Sequence, residues 1–340
     1  MREYKYLHWL AANTDSEWWH DSADPQELAV SIRNGAVGVT SNPFLIQTTL
    51  NKNPEKWKGV YDKCPADLEG DERAEALLSL TVGELAKQLR PIYDATKGQN
   101  GYACAQVNPM RQGDSAAMLE QAKRYSAIAP NISVKLPACS AGFVAMEQCV
   151  AEGICTTITA SFTVPQALAI GEHYERGLKK AEEKGVSPKP CFAVLMIGRL
   201  DDYIRDIARD GCADVQESDI RMAGIAVAKR AYKLFRERGY RAIIMPAGMR
   251  GAHHVTELSG AKMVFSTAPK IQDMLENVDA PFTCGIEKPV AEETIGNLMK
   301  IREFRRAYEV NGMEEDEFLT YGATQRTLSQ FVEAGWIHIK

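Results

Sequence analysis

Lys135 stands alone among apolar neighbours in NISVKLPACSAGF (131–143), a stretch that begins as a short buried strand. Successive strand residues face opposite ways, so with Val134 and Leu136 packed outward, Ser133 and Lys135 point inward. Burial disfavours an ammonium and lowers the lysine pKa, leaving part of the amine neutral and able to attack a carbonyl carbon. Imine formation is the chemistry this predicts. The plain alternative is a lysine at a sheet edge, its stem packed on the surface and its charge in water.

That chemistry needs companions held nearby, and the chain's alternation of short apolar runs with longer amphipathic ones supplies a scaffold. It predicts parallel strands crossed by helices. Strands are expected at 17–21, 36–40, 102–107, 132–137, 155–160, 191–197, 242–247 and 263–267. Eight strands close a (β/α)8 TIM barrel. Helical periodicity covers roughly 25–34, 71–93, 114–127, 141–151, 164–184, 216–238, 252–258 and 269–276. Extra helices are expected in 43–70, after the second strand. Residues 1–340 read as a single barrel domain, with 280–340 as a helical C-terminal extension closing one end. A doubly wound sheet is the structural alternative, but no G-x-G-x-x-G follows any strand.

The active site of such a barrel lies at the C-terminal ends of its strands. Polar residues expected there are Asp21, Thr40, Asn42, Gln106, Asn108, Lys135, Thr157, Thr159, Ser161, Arg199 and Arg250. Net charge is −5, with acidic and basic residues interleaved, which argues against a nucleic-acid partner. No apolar stretch approaches the roughly 18 residues of a membrane span. The expectation is a cytoplasmic protein without a membrane partner. Its eight cysteines include no C-x-x-C pair and read as buried thiols. A homo-oligomer is left open.

Four segments together resemble the transaldolase family: GAVGVTSNPFLI (35–46), SVKLPACSAGFVAMEQCVAEGICTTITASFTVPQAL (133–168), VLMIGRLDDYI (194–204) and IMPAGMRGAHHVTELSGAKMVFSTAP (244–269). The resemblance implies a Schiff base on Lys135, which makes the old carbonyl carbon an electron sink, so neither metal nor cofactor is needed. Asp21 matches the carboxylate that takes and returns the proton of the hydroxyl on the cleaved carbon. Its alternative role is a helix cap, although Asp24 before Pro25 suits that better. Asn42 matches a residue that binds substrate hydroxyls, with an Asn-Pro turn as the alternative. Thr159 matches the threonine that holds the catalytic water. Arg199 and Arg250 match the arginines that grip a terminal phosphate, though Arg199 also stands close to Asp201 and Asp202.

Departures from the family pattern bear on substrate and mechanism. Gln106 replaces a proton-relaying glutamate of transaldolases, as in fructose-6-phosphate aldolases, and it cannot ionise. Those aldolases carry a tyrosine where Met196 stands. Thr157 replaces an asparagine, Ser161 an apolar residue, and Val194 and Gly248 replace serines. The roomier, more apolar anion end leaves space for a sulfonate or carboxylate. His253 and His254 point about 100° apart on a helix, which argues against shared metal binding. The resemblance implies transfer of a dihydroxyacetone unit between sugar phosphates, within carbohydrate metabolism and the pentose phosphate pathway. A class I aldolase releasing free dihydroxyacetone is the alternative, and a sugar-phosphate-binding regulatory barrel is the alternative of another class.

Overall fold

The computed structural model describes residues 4–52 and 54–340. Its eight strands are β1 (Glu17–Asp21), β2 (Gly38–Thr40), β3 (Tyr102–Gln106), β4 (Ile132–Pro137), β5 (Cys155–Thr159), β6 (Cys191–Leu195), β7 (Ile243–Pro246) and β8 (Val264–Thr267). They pair in parallel in the order β7-β6-β5-β4-β3-β2-β1-β8, and β7 packs beside β8, so the sheet curls into a nearly closed (β/α)8 barrel. Sequence-adjacent parallel strands need a helical crossover, which explains the helices between them.

Inward-facing residues form tiers that set the height of the site. At the bottom, Trp19 of β1 packs its ring 4.5 Å from Phe192 of β6, and Tyr102 of β3 lies 6.2 Å from the same phenyl. Trp19 fits because β2 opposes it with Gly38, where any Cβ would sit 2.3 Å from the indole. One tier higher, Thr157 Oγ1 hydrogen-bonds Ser133 Oγ at 2.7 Å and Cys104 Sγ at 3.5 Å. The top tier carries Gln106, Lys135 and Thr159, each two residues beyond Cys104, Ser133 or Thr157 on its strand, together with Asp21, two residues beyond Trp19.

Three expectations are corrected. The sixth strand stops at Leu195, and helix Ile197–Asp210 follows. Leu200, Tyr203, Ile204 and Ala208 are its buried stripe, spaced for a helix, so Arg199 sits on a first helical turn rather than a strand end. The expected helix 216–238 is two pieces, Glu217–Ile220 and Ala223–Arg238. The break lets Gly224 press against Ile197, whose carbonyl oxygen would lie 2.3 Å from a Cβ there. Finally, Cys212 and Cys284 are exposed; the other six cysteines are buried and all eight are free. Helix Lys5–Asn13, which buries Tyr6, Leu7 and Leu10 before β1, was not anticipated.

Helices Pro43–Lys52 and Lys58–Tyr61 occupy the segment after β2, as expected. Beyond residue 280 come helices Glu292–Leu298, Arg302–Tyr308 and Gly322–Glu333. The last packs on Pro43–Lys52, on the turn Pro109–Arg111 and on Ile197–Asp210. Those elements follow β2, β3 and β6, so the helix lies across the C-terminal mouth of the barrel. Trp336 Nε1 donates to Asp71 at 2.8 Å, and His173 bridges Glu147 (2.7 Å) and Glu315 (3.0 Å), tying the extension down on two sides. No helix among the described residues is long and apolar enough to cross a membrane.

Candidate active site

Lys135 is 6% exposed at the centre of β4, with Gln106 of β3 and Thr157 of β5 as its register partners. Its Nζ donates to the Ser41 carbonyl at 3.1 Å. Burial pushes its pKa below the ordinary lysine value, the field of Arg199 adds to this, and Cys104 and Asp21 oppose it. A buried amine with one neutral acceptor holds its proton less firmly than an exposed lysine does.

Asp21 ends β1. Thr40 donates to its Oδ1 at 2.7 Å and also contacts Ser266 Oγ at 2.7 Å, which fixes the carboxylate. The helix start nearby is capped by Asp24 instead, whose Oδ1 accepts from Gln26 N at 2.7 Å. Asp21 is thereby free of that duty. Asn42 does cap: its Oδ1 accepts from Leu45 N at 3.0 Å at the head of helix Pro43–Lys52, while among the described residues its amide nitrogen has no partner.

Gln106 Oε1 and Thr159 Oγ1 are buried without a hydrogen-bond partner among the described residues. Both line a cavity of about 10 Å³, with Gln112 and Leu328 on other walls. That is the size of a single water, and buried polar atoms of this kind need a partner. Thr159 is followed by Ala160 in the left-handed region (φ 55°). Such strain in a residue bearing a Cβ persists only where surroundings enforce it. Gln166 Nε2 and Thr324 Oγ1 donate to the Ala160 carbonyl at 3.2 and 3.5 Å.

Two expected site residues turn away. The Ser161 hydroxyl donates to the Val194 carbonyl, and its own carbonyl accepts from Met196 N at 2.9 Å, so it ties β5 to β6. Thr157 has its hydroxyl in the middle tier, below the lysine. His20, beside Asp21, faces outward to Ser31 and Gln272, and burial lowers its pKa to about 4.

The arginines come together from different elements. Gly198 lets helix Ile197–Asp210 approach the β7 loop so closely that a Cβ there would lie 2.5 Å from the Gly248 carbonyl. Burial and the neighbouring Arg250 both lower the Arg199 pKa. Asp202 pairs with Arg250 (Nε to Oδ2, 2.7 Å), not with Arg199. Arg199 meets Gln330 and Phe331 of the C-terminal helix.

Behind Arg250 stands a brace that sequence reading missed. His254 Nδ1 accepts the Arg250 backbone N–H at 3.0 Å, and its Nε2 donates to Asp201 Oδ2 at 2.7 Å. Asp201 Oδ1 accepts from Gly224 N at 2.8 Å. His253 comes close enough to make Asp201, His253 and His254 one cluster of potential metal ligands, against the expectation from helix geometry. Asp201 and His254 are committed to each other and to backbone N–H groups, while His253 Nε2 is buried without a partner among the described residues. Arg221 donates to His253 Nδ1 at 3.3 Å, which puts the proton of this neutral ring on Nε2 and leaves no lone pair toward the cluster. The group is a hydrogen-bonded strut. Replacing His254 by Ala strands the buried Asp201, and a loss of about 3 kcal/mol in urea-unfolding stability is expected.

A family model described as transaldolase/fructose-6-phosphate aldolase matches residues 18–334. The chain belongs to this family. It is 28% identical to Transaldolase 1 of Streptomyces avermitilis over 59% of this chain and 54% of that protein. With Transaldolase of Thiobacillus denitrificans the identity is 29%, covering 60% and 58%. Transaldolase 2 of Nostoc sp. is also 29% identical, covering 61% and 59%. The chain spans about half to three fifths of the length of these relatives. For this family member, sequence reading had no sign of Ser41 as the lysine's partner, because a backbone carbonyl carries no residue signature. Nor did it find Gln330, which reaches Arg199 across 131 positions.

Proposed function

We propose that the chain is an enzyme of the transaldolase/aldolase class that binds an anionic polyhydroxy ketone and forms a Schiff base on Lys135. The observation that carries the reading is the buried, pKa-lowered Lys135 amine in one tier with Asp21, Gln106 and Thr159. The neutral amine attacks the ketone carbon, and loss of water gives a protonated imine. Asp21 takes the hydroxyl proton as the adjacent carbon–carbon bond breaks, leaving an enamine on the lysine. A water in the small cavity, held by Thr159 and Gln106, serves the dehydration and hydrolysis steps. Asn42 contributes its free amide to substrate hydroxyls, and Arg199 and Arg250 hold the anionic tail.

In our reading the dihydroxyacetone unit then passes to an aldehyde phosphate, and the helix across the mouth shields the enamine from water. Hydrolytic release of free dihydroxyacetone is the second reading, favoured by Gln106, which orients a water without ionising. The barrel and the helices after residue 280 act as one unit, with cytoplasmic carbohydrate metabolism as their setting. Borohydride reduction in the presence of fructose 6-phosphate, followed by intact mass and peptide mapping, tests the reading. An adduct on Lys135 is expected, lost in Lys135→Ala. No adduct with any ketose would leave a binding or regulatory barrel instead. Release of dihydroxyacetone with and without an acceptor aldehyde separates transferase from aldolase.

A further inference from the structure

The Arg199 guanidinium already holds an acceptor. Its Nη1 donates to Gln330 Oε1 at 2.5 Å, and its Cζ lies 5.7 Å from the centre of the Phe331 ring. Both partners belong to helix Gly322–Glu333, the element that crosses the mouth. The same helix lines the small cavity through Leu328 and reaches the strained Ala160 carbonyl through Thr324. One rigid element therefore touches both the anion end and the reacting end of the site.

The chemistry of the contact is selective. A carboxylate in place of Gln330 would make a full ion pair with a largely buried cation, difficult for a ligand to displace. An apolar residue would leave the guanidinium short of an acceptor. A neutral amide oxygen satisfies one N–H and yields to a group that offers more charge and more oxygens. Arg250 is engaged differently, by Asp202 and by the Gly248 carbonyl at 2.8 Å, so Arg199 is the member of the pair whose acceptor sits on the C-terminal helix.

We propose that Gln330 is a specificity-determining residue: it occupies Arg199 as a place-holder, and only a ketone with a tetrahedral oxyanion at its far end displaces it. The proposal rests on the assignment of Arg199 to the anionic tail. Neutral ketones leave the Arg199–Gln330 bond in place and gain nothing from Arg199, whereas phosphorylated ones exchange one acceptor for a stronger one. Gln330 thus sets discrimination by charge, beyond what the arginines provide alone.

The test compares wild type, Gln330→Ala and Gln330→Glu, each also in an Arg199→Met background. The concentration of fructose 6-phosphate giving half-maximal borohydride trapping should fall about fivefold in Gln330→Ala and rise about tenfold in Gln330→Glu. Trapping of unphosphorylated fructose should change less than about twofold in both. In the Arg199→Met background the Gln330 substitutions should lose their effect, as a coupled pair requires. Equal shifts for both sugars, or effects that survive Arg199→Met, overturn the proposal. Calorimetric titration with inorganic phosphate runs alongside and does not depend on the imine. It should give the affinity order Ala, wild type, Glu, with the order abolished by Arg199→Met. If no protein traps any ketone, the Schiff-base reading fails, while equal phosphate affinities across the three proteins refute the role of Gln330.

Discussion

Lys135→Met is expected to abolish ketose trapping and lower turnover by roughly 10⁴-fold or more, the scale seen when a covalent nucleophile is removed. The same change should make the protein more stable. Lys135 is 6% exposed, and burial, aided by Arg199 and opposed by Cys104 and Asp21, holds its pKa below the ordinary 10.5. Between the folded value and 10.5 the unfolded chain binds more protons than the native one, so wild-type stability rises with pH across that window. The penalty is full on the acid side of the folded pKa and gone above the unfolded one. Methionine carries no charge and fills much of the same volume. Its advantage should be about 2–6 °C in Tm on the acid side and should shrink toward alkaline pH. Thermal melts of both proteins across pH read this directly. A variant less stable than wild type at every pH would show that the lysine contributes more by packing and by its bond to Ser41 than burial costs.

Asp21→Asn should separate the two halves of the reaction. Asparagine keeps the shape and still accepts from Thr40, which holds Asp21 at 2.7 Å, but it cannot take a proton. Loss of a positioned general base costs typically about 10²–10⁴ in rate. Carbon–carbon cleavage should fall by that factor, while borohydride trapping of the ketose on Lys135 persists. Single-turnover measurement of aldehyde release beside the trapped mass distinguishes the steps. Unchanged cleavage would remove Asp21 from proton transfer, and parallel loss of trapping would assign it to imine formation instead.

Much of this architecture is legible in the chain itself. The strands are short apolar runs, and a period of two fixes which residues face the barrel axis, so Lys135, Gln106 and Thr159 fall in one tier once Asp21 ends β1. What escapes is set by tertiary contact. The apolar run continues through Met196 and Ile197 and so places Arg199 at a strand end, yet the chain turns helical there to bury Leu200, Tyr203 and Ile204. The Ser161 hydroxyl turns to a carbonyl of the next strand, and no local pattern records that choice. His254 and Asp201 are 53 positions apart, and their pairing exists only because Gly198 and Gly224 let three elements meet. Adjacent histidines looked divergent on an ideal helix, but the helix here is only His253–Thr256, and its first residues escape that geometry.

The aromatic floor of Trp19, Tyr102 and Phe192 has a kinetic corollary. These rings fill the barrel's far end, so in the proposed reaction ligands reach Lys135 from the C-terminal mouth. In a group transfer, the first aldehyde must depart by the route that the acceptor will use to enter. For the transfer proposed above, donor and acceptor are expected to exclude each other, with double-reciprocal plots running parallel and high donor concentration slowing the second half-reaction.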